Sequence, residues 1–350
     1  MKKITLASVA LLAMVCGQAQ AQSAVTVFGV ADIGYVHTSA NGTSGNVSRD
    51  QLASDGNTSS RLGFRGTEDL GGGMKAGFWL EGALAIDSPG SLTLQRRSTV
   101  ELSGSFGEIR LGRDYVPTFT NLTVAYHPFG TNGVGNAGQL FYPVSANGTS
   151  SSTHVRSNNG INYFTPNVAG FQANLMYAYG EKLSNAGATQ NDDTYAGGRI
   201  SYANGPLNLA VATGKTKYAT GNYTQSNFAA NYQLGAAKLM YLWGENKVGV
   251  TKTTSNMVGV QYKVSDTGEI RAAYTALKAS GFVSTAGVDD ASQATVGYVH
   301  NLSKRTALYT NYSVVDNKGT GKQFVVGGGD KATVAGGNST GYEFGVRHSF

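Results

Sequence analysis

Met74-Lys75-Ala76-Gly77-Phe78-Trp79-Leu80-Glu81-Gly82-Ala83-Leu84-Ala85-Ile86-Asp87 is the stretch that decides the fold. Met74, Ala76, Phe78, Leu80, Leu84 and Ile86 share one parity, and Lys75, Trp79, Glu81 and Asp87 share the other. Period two with a single apolar face is the pattern of a β-strand separating two environments. The same alternation recurs down the chain. Phe171, Ala173, Leu175, Tyr177 and Tyr179 oppose Gln172, Asn174 and Gly180; Phe228, Ala230, Tyr232 and Leu234 oppose Asn227, Asn231 and Gln233; Val258, Val260, Tyr262 and Val264 oppose Gln261 and Lys263. At about 9 to 12 residues, these strands are long enough to cross a bilayer at a tilt. Strands of soluble sheets run nearer about 5 or 6.

The start of the chain predicts export. Met1-Lys2-Lys3 is a basic opening, Ile4 to Cys16 is apolar and uncharged, and Ala19-Gln20-Ala21 supplies small residues for cleavage. Residues 1–21 therefore read as a signal peptide and residues 22–350 as one domain. A membrane anchor needs about 20 apolar residues, more than this run offers. Cleavage removes Cys16, the only cysteine, so no disulfide is available to stabilise the exported chain. A large sheet closed on itself supplies that stability through backbone hydrogen bonds. The formal net charge of +6 falls by two when Lys2 and Lys3 leave, too mild a balance for a nucleic-acid partner. Without a long apolar helix, a membrane-spanning chain of this kind must be a closed barrel.

The connections alternate in length. Short turns stand at Glu68 to Gly73, Gly104 to Gly107, Asn204 to Pro206, Gly235-Ala236 and Ser265 to Gly268. Longer polar segments lie at His37 to Ser59, Glu181 to Asp193 and Asp316 to Ser339, a pattern of outer-membrane barrels. Counting hairpins predicts an all-β, antiparallel transmembrane barrel of about sixteen strands, wide enough to leave a water-filled lumen. Phe344, Val346 and Phe350 share one parity at the end of the chain, so Phe350 reads as the aromatic of an assembly signal in a last membrane strand.

Several stretches resemble the general, non-specific trimeric porins of β-proteobacteria, the Neisseria type of Gram-negative porin. Val25-Thr26-Val27-Phe28-Gly29-Val30-Ala31-Asp32 looks like their first strand, and Ser60 to Gly73 like their second strand and turn. Gly107 to Arg113 is similar to their fifth strand; Asn301 to Tyr309 and Arg347-His348-Ser349-Phe350 also fit. The resemblance implies a sixteen-stranded barrel assembled as a homotrimer, with a long third loop folded into the lumen as a constriction.

By position that loop is Tyr115 to His154, the longest break in the alternation. It carries no Asp, Glu, Lys or Arg, and Arg156 is the only charged residue between Tyr115 and Gly180. Related cation-preferring porins place carboxylates there; here only Asp114 stands at its root. Arg61, Arg65 and Arg97 oppose apolar neighbours in parity, and Arg156 shares the parity of Asn158 and Asn162, so all four are expected in the lumen. A charge on the lipid face costs about 2–4 kcal/mol at the midplane. Arg113 turns outward by strict alternation with Ile109 and Leu111, unless Gly112 forms a bulge or the residue lies above the membrane. These five arginines are the expected constriction, with Lys75, Glu81, Glu101 and Asp114 as further pore lining. Rings of charge set selectivity in channels, and this one favours anions. The competing reading pairs the arginines with Glu81, Glu101 or Asp32, leaving them structural.

Tyr35, Tyr179, Tyr202, Tyr232 and Trp243 read as girdle aromatics rather than a sugar track. His37, His127, His154, His300 and His348 lack metal-ligand spacing, and no nucleophile–His–acid set stands out, so neither a metal, a cofactor nor an enzyme is expected. Gly327 to Gly337 reads as an outer loop. The expected function is an outer-membrane pore for passive diffusion of small hydrophilic solutes and ions, anions preferred, surrounded by membrane lipid and lipopolysaccharide. The alternative is an adhesin or structural barrel acting through its loops.

Overall fold

In the computed structural model, residues 25–123, 125–141, 153–282, 286–328 and 334–350 are described. The expected signal peptide, Cys16, and Pro143, Ser150, Ser151 and Ser152 of the long loop lie outside them. The chain runs β1 (Thr26–Gly42), β2 (Gly45–Ser54), β3 (Arg61–Gly71), β4 (Met74–Ala83), β5 (Arg97–Gly104) and β6 (Gly107–Tyr115). Two short helices follow, α1 (Pro117–Thr120) and α2 (Gly138–Phe141). Then come β7 (Arg156–Phe164), β8 (Phe171–Ala178), β9 (Tyr195–Asn204), β10 (Leu207–Thr216), β11 (Tyr223–Leu234) and β12 (Ala237–Val248). The last are β13 (Thr251–Lys263), β14 (Gly268–Ser280), β15 (Ala291–Asn301), β16 (Thr306–Asn317) and β17 (Asn338–Ser349).

Every pairing is antiparallel, and β1 closes the sheet on β17 from Val30↔Ser349 to Ala40↔Ser339. The 17 strands occupy sixteen places, because β2 and β3 share one edge of β1. The lower half of β1 pairs with β3 (Thr26↔Arg65 to Val30↔Arg61) and its upper half with β2 (Ile33↔Ser54 to Gly42↔Gly45). Closure of β1 on β17 leaves the described wall without a free edge at the seam, as a lipid surround demands, while β2 pairs with β1 alone. At the seam, Phe350 N–H donates to the Gly29 carbonyl at 3.1 Å, and Gly29 N–H returns the bond at 3.0 Å. The Phe350 ring lies where a Gly29 Cβ would stand, so only glycine fits there.

Three expectations change. His37 to Ser59, expected as a loop, is mostly the β1–β2 hairpin. Its polar side chains alternate without an apolar face, because that part of the hairpin rises beyond the hydrocarbon. β4 stops at Ala83, so Leu84 and Ile86 lie in the next connection; Leu84 N–H donates to the Ser60 carbonyl there. Strand lengths range beyond expectation, from 8 residues in β5 to 17 in β1.

Parity sorts the wall as expected. Val100, Leu111, Leu175, Val211, Val258 and Phe344 are exposed on the outer face. Asn162, Asn174, Asn227, Asn231, Thr253 and Asn311 share the other face and are buried.

Candidate functional site

The segment after β6 accounts for that buried polar face. Thr118 Oγ1 donates to Gln225 Oε1 at 2.7 Å, Asn121 Nδ2 to Asn227 Oδ1 at 2.8 Å, and Asn227 Nδ2 to the Thr118 carbonyl at 2.9 Å. Further along, Tyr126 OH donates to Asn208, Asn231 to the Ala125 carbonyl, and Gln261 to the Pro128 carbonyl. Gln293 donates to the Val134 carbonyl, Ser255 to that of Leu140, and Asn246 to that of Phe141. These partners are inner-face residues of β10–β13 and β15. An uncharged segment can lie against polar wall groups without stranding a charge, and each such bond contributes about 0.5–1.5 kcal/mol. Beneath it, Val116, Phe119, Leu122, Tyr126 and Phe141 pack with Met176, Ala210, Met240, Leu242 and Met257.

The far end of the segment is held by β17. Val134 N–H donates to Glu343 Oε1 at 3.2 Å, and Asn311 Nδ2 reaches the same oxygen at 2.6 Å. Gly133 has φ +57, and a Cβ there would lie 2.2 Å from Glu343 Oε1 and 2.4 Å from the Gly56 carbonyl. His127 is fully buried, accepts the Phe129 N–H at 3.2 Å on Nδ1, and is pushed down to about 4 by desolvation.

The arginines lie on the inner face of β3–β7. Arg65 stacks at 5.2 Å on Phe28 and 5.1 Å on Trp79, and Arg97 covers Trp79 at 4.6 Å. Arg97 pairs with Glu101 and stands 3.9 Å from Asp114. Arg110 bridges Glu108 at 2.5 Å and Asp114 at 3.1 Å while stacking 4.1 Å from Phe164. Higher up, Arg96 pairs with Glu81 at 2.6 Å and donates to Tyr115 OH at 3.2 Å. Arg156 donates to the same hydroxyl at 2.7 Å and lies 4.3 Å over its ring. Arg96 and Arg156 thus converge on one phenol with one carboxylate, Glu81, between them. Arg61, opposite Ala83, has no ion pair among the described residues, and neither has Arg65 or Arg156.

Of the pairs in the competing reading the structure shows Arg97–Glu101, while Glu81 takes Arg96 and Asp114 takes Arg110 and Arg97; Arg61, Arg65 and Arg156 stand outside carboxylate pairs among the described residues. Lys75 has the same parity but stands at the short-turn end, opposite Ser103. Arg113 sits apart. The β6–β7 register shifts between Gly112 and Asp114, and Arg113 reaches the Gln95 carbonyl and Asn158 Oδ1 at the long-loop rim. With Arg156, Glu181, Lys182 and Asp193 it lines a cavity of about 210 Å³. The same irregularity overturns the parity argument for Arg156. Asp114 pairs with Ser157, not with Asn158, so Arg156 enters the site through Tyr115 rather than by alternation from Asn162. Among the described residues Asp32 takes no arginine: it accepts Tyr309 OH at 2.6 Å and the backbone N–H groups of Asn57 and Thr58.

Sequence reasoning missed Arg96, Arg110 and Arg199. Arg96 precedes β5, outside the alternation, and only its neighbour Arg97 marks it. Arg110 shares the parity of Asp114 and was legible by that rule. Arg199, on β9, donates to Asn121 Oδ1 at 2.7 Å, a contact that only the path of the loop creates. Among the described residues no cluster of His, Cys, Asp and Glu is arranged to hold a metal ion.

Comparison with known proteins places this geometry. Residues 7–320 match the family described as Gram-negative porin. The chain is 41% identical to outer membrane porin protein 32 of Delftia acidovorans over 100% of both chains. It is 29% identical to an outer membrane porin protein of Bordetella pertussis over 91% of this chain and 95% of that one. Among solved structures it is similar to the anion-selective porin from Comamonas acidovorans, with TM-score 0.83 and 38% identity over 94% of this chain and 100% of the other.

Proposed function

We propose that this chain, which belongs to the Gram-negative porin family, is an anion-preferring member of it. As a porin it is an outer-membrane channel for passive diffusion; the preference is the proposal. One observation carries it. The segment from Val116 to Phe141 contributes no carboxylate, while Arg61, Arg65 and Arg156 stand on the inner wall outside carboxylate pairs. The hydrogen bonds to inner-face side chains support the reading that this segment narrows the lumen. On that reading the arginines face a neutral surface, and their charge acts on ions passing within the screening length of about 8 Å. Arg97 and Arg110, tied to Glu101, Glu108 and Asp114, lend the wall rigidity more than net charge. Similarity to an anion-selective porin points the same way. The proposal extends to assembly as a homotrimer, which the family resemblance implies, and to small hydrophilic anions as solutes.

Liposome swelling tests it. With solutes of equal size, entry rates should rank anionic above neutral above cationic. Equal rates would refute the preference while leaving the channel intact; no swelling with any solute would refute an open lumen.

A further inference from the structure

Tyr115 is the last residue of β6 and stands at the root of the segment that lies against the inner wall. Its ring stacks on Phe119 of α1, with centroids 5.0 Å apart and planes 17° from parallel. Phe119 is itself buried, packed with Val116 and Leu122 beneath the segment. On the strand side, the register pairs Tyr115 with Arg156 of β7. That pairing depends on the irregularity after Gly112, whose φ is +127 and where a Cβ would run into the Ser98 carbonyl. Glycine alone fits there, so the shift that sets Tyr115 opposite Arg156 is built into the chain.

The hydroxyl of Tyr115 decides where Arg156 points. Arg96 has Glu81 at 2.6 Å and keeps its place without the phenol. Arg156 has no carboxylate, and its one side-chain hydrogen bond among the described residues runs from Nη2 to the Tyr115 hydroxyl at 2.7 Å. Its Nε is buried without a partner. The ring face under Arg156, at 4.3 Å, holds the guanidinium without fixing its direction; the hydroxyl bond supplies the direction. The same arginine lines the rim cavity with Glu181 and Lys182. Glu181 accepts the side-chain amides of Asn158 and Asn159 at 3.2 and 3.1 Å, neutral donors that leave its charge in place. One guanidinium therefore has two stations. Beside Arg96 its charge adds to the lumen wall; at the rim Glu181 would cancel it. We propose that Tyr115 is a positioning residue for the channel's charge preference, its hydroxyl holding Arg156 beside Arg96 and away from Glu181. The Tyr115–Phe119 stack ties that charge to the seat of the inner segment. The proposal rests on the reading of the lumen as anion-preferring and names a neutral residue on which the preference depends.

Tyr115→Phe tests it, because it keeps the ring, its stack and the formal charge and removes the hydroxyl alone. In planar-bilayer recordings under a KCl gradient, the anion-to-cation permeability ratio should fall about threefold, the effect of losing one guanidinium outside an ion pair. Arg156→Gln should give the same fall, and adding Tyr115→Phe to Arg156→Gln should change the ratio no further. Circular dichroism confirms that each variant retains its sheet. A native channel of chloride sign whose ratio is unchanged in Tyr115→Phe would overturn the role of Tyr115 and leave the charge preference standing. A further fall in the double variant would also overturn it, since the hydroxyl would then act on the ion and not through Arg156. A native channel of potassium sign would refute the preference itself, and the proposal with it.

Discussion

Substituting Arg61→Gln together with Arg156→Gln separates unpaired charge from structural charge on the inner wall. An ion passing about 6 Å from a guanidinium in water feels about 0.7 kcal/mol, cut by screening to about 0.3. The sign reverses between anion and cation, so each arginine outside a carboxylate pair changes the permeability ratio about threefold. Arg61, Arg65 and the Arg96–Arg156–Glu81 group each supply one net positive charge. Losing two of these lowers the anion-to-cation ratio about ninefold, moving the zero-current potential in a tenfold KCl gradient by roughly 30 mV toward zero. The matched control is Arg97→Gln with Glu101→Gln, which removes a bonded pair and no net charge. Planar-bilayer recordings should show the first variant shifted and the second within about 5 mV of the native channel. Equal shifts in both, or no shift in the first, would refute the assignment of selectivity to the arginines outside ion pairs.

Gly133→Ala should displace the Val134–Glu343 anchor, because the new methyl meets a carboxylate and a carbonyl in a left-handed backbone; single-channel recordings should show larger and noisier conductance, and unchanged traces would contradict the anchoring role. Burial of His127 makes stability fall as pH drops from about 6.5 towards 4, since the unfolded chain takes up the proton first; the loss, about 3 kcal/mol at most, is complete below pH 4 and should vanish from acid unfolding curves of His127→Gln. Leu175→Arg on the outer face should cost about 2–4 kcal/mol in folding into vesicles if it lies near the midplane, whereas Leu183→Arg in the loop after β8 should cost under about 0.5. Similar costs for both would contradict the lipid-facing parity.

Alternation made the barrel readable because a wall between lipid and water imposes period two on every strand. It failed where that constraint lapses. The β1–β2 hairpin rises beyond the hydrocarbon, so its residues no longer sort by polarity and resemble a loop. At the β6–β7 irregularity the parity of Asn162 does not carry to Arg156, and Arg113 ends at the rim. The acid-free loop was plain in the sequence, but its partners on β10–β13, β15 and β17 are distant in the chain and share no local signal. Ion pairing followed the same line. Arg97–Glu101 could be anticipated from two inward residues on one strand, whereas Arg96 and Arg156 meeting at Tyr115 depends on three separate elements.

The most direct test of an anion-preferring channel is the zero-current potential of the native protein in a planar bilayer under a KCl gradient. The arrangement of Arg61, Arg65 and Arg156 against a neutral segment predicts a potential of the sign set by chloride, shrinking as salt rises and screening shortens. A potential of the sign set by potassium would contradict the account.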